Sequence, residues 1–173
     1  MKHEGHDMQI RMEAPGDEDA ISAVTEVAFR NALHSDQSET AIVVALRRAR
    51  ALTISLVATD DDGVIVGHVA FSPVTVNGED QGWYGLGPVS VTPACQGQGI
   101  GRALINDGID QLRALGARGC VVLGDPAYYG RFDFRSNGAL TYPGVPNEYF
   151  QARNLSGPMP AGVVAYHAGF DAK

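Results

Sequence analysis

The stretch Val89-Ser90-Val91-Thr92-Pro93-Ala94-Cys95-Gln96-Gly97-Gln98-Gly99-Ile100-Gly101-Arg102 sets alternating glycines where an apolar strand gives way to an amphipathic helix. A helix N-terminus leaves its first backbone N–H groups without intrahelical partners. The macrodipole adds positive potential there, so such an end holds anions. Glycine lets a phosphate approach those amides without meeting a β-carbon. Arg102 adds a fixed positive charge in the first turn. A Walker loop would need a lysine beside its last glycine, and none stands here. A dinucleotide fingerprint starting at Gly97 would need glycine at the position held by Arg102.

A second group of residues could move protons. Tyr128 and Tyr129 are neighbours in a short helical stretch, Ala127 to Phe132. They lie ~100° apart around a helix, so only one can point at a given atom. A tyrosine hydroxyl, with an ordinary pKa of ~10, can act as a general acid. His68, in the strand Gly67-His68-Val69-Ala70-Phe71, titrates near neutrality as a base should. Glu148 is a second candidate base, and a chain of waters is a third solution.

The elements that must position these groups alternate along the chain. Met8 to Glu13 reads as a strand. Asp17, Glu18 and Asp19 open a helix with the stripe Ile21, Val24, Val27 and Ala28. A second helix begins near Ser38 and closes on Arg47, Arg48 and Arg50. Leu52–Thr59, Val64–Val76 and Gly82–Val91 form an antiparallel meander, turned at Asp60–Gly63 and Asn77–Gly78. After the glycine loop, Leu104, Ile105, Ile109 and Leu112 mark the buried face of a helix that ends near Gly116. Cys120–Leu123 follows as a buried strand, which predicts a right-handed crossover between parallel strands. Ala139–Tyr142, Phe150–Leu155 and Val163–His167 are shorter strand-like pieces. The class is α+β with a mixed sheet.

Composition excludes several functions. The chain has 173 residues, which suits one domain, and 13 Lys+Arg against 20 Asp+Glu give a net charge of −7. That balance argues against a nucleic-acid binder, which carries a basic face. Residues 1–7 read as a polar N-terminal tail. No apolar run is long enough to span a membrane and no secretion signal is present, so a cytoplasmic protein is expected. Cys95 and Cys120 form no Cys-x-x-Cys pair, and no His/Cys cluster has zinc spacing, so no metal is expected.

The loop resembles the acyl-CoA-binding signature of the GNAT superfamily of N-acetyltransferases. That signature reads [Gln/Arg]-x-x-Gly-x-[Gly/Ala] after Val-x-Pro-x-x, and Val91, Pro93, Gln96, Gly99 and Gly101 match every defined position. The segment Gly124-Asp125-Pro126-Ala127-Tyr128-Tyr129-Gly130-Arg131-Phe132-Asp133-Phe134 resembles the second landmark of that family, a tyrosine five residues before a closing phenylalanine. The wording there, with Leu86–Val91 and Glu148-Tyr149-Phe150, is most similar to the YhbS-like branch. One position departs from the family: Asp133 stands where glycine is usual. That site calls for a left-handed backbone, which Asp tolerates better than most residues.

The resemblance implies the GNAT fold: a mixed sheet of six to seven strands, bulged and splayed between the fourth and fifth, with about four helices. It covers residues 8–142, and 143–173 would complete the domain and the acceptor side. It implies acetyl-CoA as cosubstrate and an amine acceptor of unknown identity, in a monomer or homodimer without nucleic-acid or membrane partners. The backbone of Val89, Ser90 and Val91 would pair with the pantetheine, and a backbone N–H of this strand would polarise the thioester. Amides of Gln96, Gly97, Gln98, Gly99, Ile100, Gly101 and Arg102 would hold the pyrophosphate. Asp125, Tyr128 and Arg131 would complete the cofactor site. Tyr129 would be the general acid. A non-catalytic acyl-CoA sensor or interaction module would keep the loop but need neither Tyr129 nor a base.

Overall fold

Period-two and helical patterns resolve into one open mixed sheet covered by helices on both faces. The computed structural model describes residues 8–33 and 35–173; the expected tail, residues 1–7, lies outside them. The elements are β1 (Gln9–Met12), α1 (Glu18–Phe29), α2 (Glu39–Arg48), β2 (Ile54–Thr59), β3 (Ile65–Val76), β4 (Glu79–Val91), α3 (Ile100–Ala114), β5 (Gly119–Leu123), α4 (Pro126–Tyr129), β6 (Leu140–Thr141), β7 (Phe150–Asn154) and β8 (Gly162–Tyr166). The sheet has eight strands among the described residues, the two-residue β6 included, in the order β1-β2-β3-β4-β5-β7. β8 pairs with the far end of β3, and β6 with β8.

The β3–β4 hairpin turns at Asn77 and Gly78, whose φ values of 52° and 80° suit a turn that follows the twist of the strands. The expected crossover forms: β4 and β5 are parallel, joined through α3. Strand side chains alternate between two cores. Leu56, Val69 and Phe71 face Leu104, Ile105 and Ile109 of α3. Val57 points the other way, onto Ile21 of α1 and Val43 of α2. Helix α3 lies close to the sheet because Gly108, with no β-carbon, leaves room for the Phe71 ring. A β-carbon there would stand 2.1 Å from the Phe71 ring.

The feature that matters for function is the edge of β4. β4 and β5 pair only from Trp83↔Gly119 to Gly85↔Val121. Beyond Gly85 the strands part, while β5 stays paired with β7 on its other edge along its whole length. On its other side β4 carries a bulge. Val69 pairs with Val89 and Phe71 with Leu86, so Gly87 and Pro88 together oppose the single residue Ala70. An extra residue bends a strand and strengthens its twist. Here the bend turns Leu86–Val91 away from β5 and opens the sheet directly before the glycine loop.

Candidate active site

Two cavities meet at this opening. One, of about 360 Å³, lies at the N-terminus of α3 and is lined by Val91, Gln96, Gly97, Gly99, Ile100, Gly101, Arg102, Tyr128 and Arg131. The other, of about 350 Å³, is lined by Leu86, Gly87, Pro88 and Leu123 with Phe29, Glu39, Ile42, Tyr142, Tyr166 and Phe170. Val89 and Tyr129 line both. A ligand running from the loop along the β4 edge would therefore pass between these two residues into the second cavity.

The loop is shaped by its glycines. Gly97 and Gly99 have φ of 80° and 86°, left-handed values that cost an L-residue about 1–2 kcal/mol, and open space faces both. Gln96 Nε2 donates to the Val91 carbonyl at 3.0 Å and ties the loop to the strand end. The Ala103 N–H donates to the Gly99 carbonyl, so the amides before it lie ahead of the helical ladder. Arg102 and Arg131 carry the formal charges among the residues lining this cavity. An acidic chain thus keeps a local cationic site of backbone amides and two guanidiniums. Cys95 also lines it, a residue that local sequence did not single out.

Tyr128 lines the loop cavity alone, and Tyr129 lines both. The Tyr128 hydroxyl stands 3.3 Å from where a β-carbon on Gly101 would be, against the first turn of α3. The Arg131 guanidinium lies 4.7 Å from the centre of its ring. Tyr129 turns toward the junction and packs edge-on against Tyr128 and Phe134, at 5.0 and 6.1 Å between ring centres. Burial, reinforced by Tyr128 and Cys120, pushes the Tyr129 hydroxyl up to about 12, so it keeps its proton well above neutrality. The helix that carries both is capped by Asp125, whose side chain accepts from the Ala127 N–H at 2.9 Å. Asp133 closes the next turn with φ 65°, the left-handed conformation expected there.

Other predicted site residues lie elsewhere. His68 lines neither cavity: it sits fully buried on the α1–α2 face of the sheet. Ser55 Oγ donates to Glu13 at 2.6 Å, which leaves it to accept from His68 Nε2 at 2.8 Å and assigns the Nε2–H tautomer. Burial lowers the imidazole to about 4, against the opposing pull of the Glu13 charge. A neutral, enclosed ring is placed for structure. Glu148 is exposed on a short 3₁₀ turn and also lines neither cavity. Asp125 is a helix cap, Gln98 lines a separate depression beside Cys95 and Ile100, and the Ser90 side chain is buried. No group of His, Cys, Asp or Glu suited to a metal ion occurs among the described residues. No helix among them is long and apolar enough to cross a membrane.

Comparison with known proteins gives a concordant result. The family model of the acetyltransferase (GNAT) family matches residues 20–134. An uncharacterized N-acetyltransferase of Escherichia coli strain K12, YhbS, is 40% identical over 171 residues, covering 95% of this chain and 99% of the relative. A GNAT family acetyltransferase of Brucella melitensis, solved in complex with acetyl-CoA, superposes with a TM-score of 0.86 at 54% identity, covering 96% of this chain and 99% of that one. The Escherichia coli YhbS structure in complex with CoA superposes with a TM-score of 0.88, covering 99% of this chain and 96% of that one. A glycine loop opening a helix beside a splayed strand, a half-buried tyrosine at the junction and these likenesses over nearly the whole chain agree: the chain belongs to the GNAT family of acetyltransferases.

Proposed function

We propose that this protein transfers an acetyl group from acetyl-CoA to a primary amine of a small molecule or peptide. The observation that carries the reading is the junction itself, where Val89 and Tyr129 line both the cationic loop cavity and its apolar neighbour. Relatives solved with acetyl-CoA and CoA support the assignment of the loop to that cosubstrate. The amides of Gln96, Gly97 and Gly99 to Arg102 hold the pyrophosphate, aided by the Arg102 and Arg131 side chains, while Tyr128 flanks it. The pantetheine lies along the β4 edge from Val91 to Val89, in the space that β5 leaves. The compartment proposed is the cytoplasm, where acetyl-CoA is available.

The reaction is direct attack. The amine nitrogen, in its neutral form, adds to the thioester carbonyl carbon, and a C–N bond forms. Charge moves to the carbonyl oxygen, where a backbone N–H of the bulged strand stabilises the tetrahedral oxyanion. The intermediate collapses, the C–S bond breaks and the electron pair leaves with sulfur. Tyr129 donates to that sulfur. Its proton is held more tightly than that of a thiol, ordinarily ~8.5, so donation begins as a hydrogen bond that strengthens as negative charge builds. Neither His68 nor Glu148 lines the site, and the proton the amine loses goes to water at the cavity mouth.

The test is release of free CoA thiol from acetyl-CoA in the presence of an amine panel. Thiol release that tracks the amine supports transfer. Tight CoA binding with no release across the panel would leave the non-catalytic acyl-CoA module as the reading.

A further inference from the structure

The second cavity has a chemistry of its own. Three of its rings form a continuous wall drawn from the C-terminal part of the chain. Tyr142 and Tyr166 meet edge to face at 5.3 Å, and Tyr166 and Phe170 at 4.9 Å, between ring centres. Phe29 and Ile42, from α1 and α2, complete the apolar lining, with Phe170 packed against the Ile42 cluster. Among the residues that line it, all of them described, Glu39 brings the one formal charge. Glu39 stands in the first turn of α2, where the dipole favours an acid. Ser35 Oγ donates to this carboxylate, 2.7 and 2.8 Å from its two oxygens.

We infer that this cavity accepts an arylalkylamine: one ammonium for Glu39, an aromatic or comparably apolar body for the ring wall, and no carboxylate. The inference rests on the acetyltransferase reading for the identity of the reacting group. Its ligand chemistry rests on the lining alone. Rings around a single carboxylate suit one cation, because aromatic faces attract it and the acid neutralises it. A polyamine would bring further ammonium groups, and a second charge would find no second acid in the lining. A free amino acid would bring a carboxylate beside its amine. That group would find no cation in the lining and would face Glu39 at like charge. The amine binds as its ammonium ion, loses that proton to water, and its neutral nitrogen then meets the acetyl group at Val89 and Tyr129.

Calorimetric titration of the CoA-saturated protein tests the ligand class without depending on turnover. The probes are 2-phenylethylamine, phenylalanine, spermidine and a tripeptide beginning with phenylalanine. 2-Phenylethylamine should bind at least tenfold tighter than each of the others. Glu39→Gln should weaken it about tenfold and leave uncharged propylbenzene unaffected. Tyr142→Ala should weaken both. Equal or tighter binding of spermidine, phenylalanine or the tripeptide overturns the inference, as does an unchanged affinity in Glu39→Gln with native circular dichroism. Thiol release measured on the same samples separates the two readings. Selective binding of 2-phenylethylamine without release supports the ligand class and rejects the transferase reading. Release with spermidine, tightly bound, does the reverse.

Discussion

The Tyr129 ring occupies the space that a side chain at Gly124 would need: an ideal β-carbon there would stand 2.4 Å from Tyr129 Cε2. Gly124 directly follows β5, past the point where that strand has parted from β4, and Tyr129 faces the opening. The absence of one methyl group therefore sets where the hydroxyl sits. Gly124→Ala should push the ring toward the junction while leaving the loop untouched. Misplacing a catalytic group by about 1 Å can cost on the order of 10²-fold. The expected outcome is a kcat lowered by that order, with acetyl-CoA affinity within about twofold of the parent by calorimetry.

Removing the hydroxyl isolates its role. Tyr129→Phe keeps the ring contacts with Tyr128 and Phe134. Loss of a positioned proton donor costs about 10²-fold or more, and the loss should fall on kcat with the KM for acetyl-CoA unchanged. The pH profile adds a sign. The acid works in its protonated form, and burial holds it up to about 12. Activity that depends on this proton should persist above pH 10 and fall only as pH rises toward 12. An alkaline limb near 10 in the kcat profile that Tyr129→Phe abolishes would show an ordinary, unburied tyrosine and contradict this geometry.

The loop makes a separate prediction about binding. Gly99 caps α3 with φ 86° and faces open space, so a side chain there is opposed by the backbone and not by a neighbour. A β-branched residue suffers most in that conformation. Gly99→Val should weaken CoA by at least about tenfold, from a strain of about 1–2 kcal/mol and the obstruction of the amides behind it. Calorimetry reads it directly. Gly99→Asn is the discriminating companion, since Asn tolerates the left-handed region and should retain more affinity. Equal losses in the two variants would point to obstruction alone.

What the sequence makes legible is what lies close together along it. Gln96, Gly99, Gly101 and Arg102 act through one strand end and one helix start, so their spacing already describes their geometry. The same holds for Tyr129 and Phe134, five residues apart on one short turn. Asp133 is a further local case, because a left-handed position constrains the residue type wherever it occurs. The second cavity is different. Glu39, Tyr142, Tyr166 and Phe170 come from separate elements, and the pairing of β8 with β3 that brings Tyr166 there joins positions some ninety residues apart. Nothing in the local pattern of β8 announces that partner. His68 shows the limit of periodicity. Alternation puts it on one face of β3 but does not say that α1 and α2 cover that face.

That face yields a prediction about acid stability. His68 is linked through Ser55 to Glu13, and Glu13 pairs with Arg47 at 2.7 Å, which ties the end of β1 to α2. Burial alone would raise the Glu13 carboxyl. The bonds from Arg47 and Ser55 and the neighbouring positive charge outweigh it and hold Glu13 below the usual carboxylate range. Glu13 therefore stays charged through the window in which His68 matters. In the unfolded chain His68 titrates near 6.5, and in the folded protein near 4. Above 6.5 both states leave it neutral, and its contribution to stability is fully present. As pH falls from 6.5 to 4 the unfolded chain takes up a proton that the folded protein refuses, and stability is lost. The full span corresponds to about 3 kcal/mol. Urea unfolding at pH 7.5, 6.0 and 5.0 should show this decline. His68→Gln, which keeps a donor for Ser55 but does not titrate, should be less stable at pH 7.5 and should lose less between 7.5 and 5.0. Parallel declines in the two proteins would mean that His68 is protonated in the fold, and the neutral buried ring would be wrong.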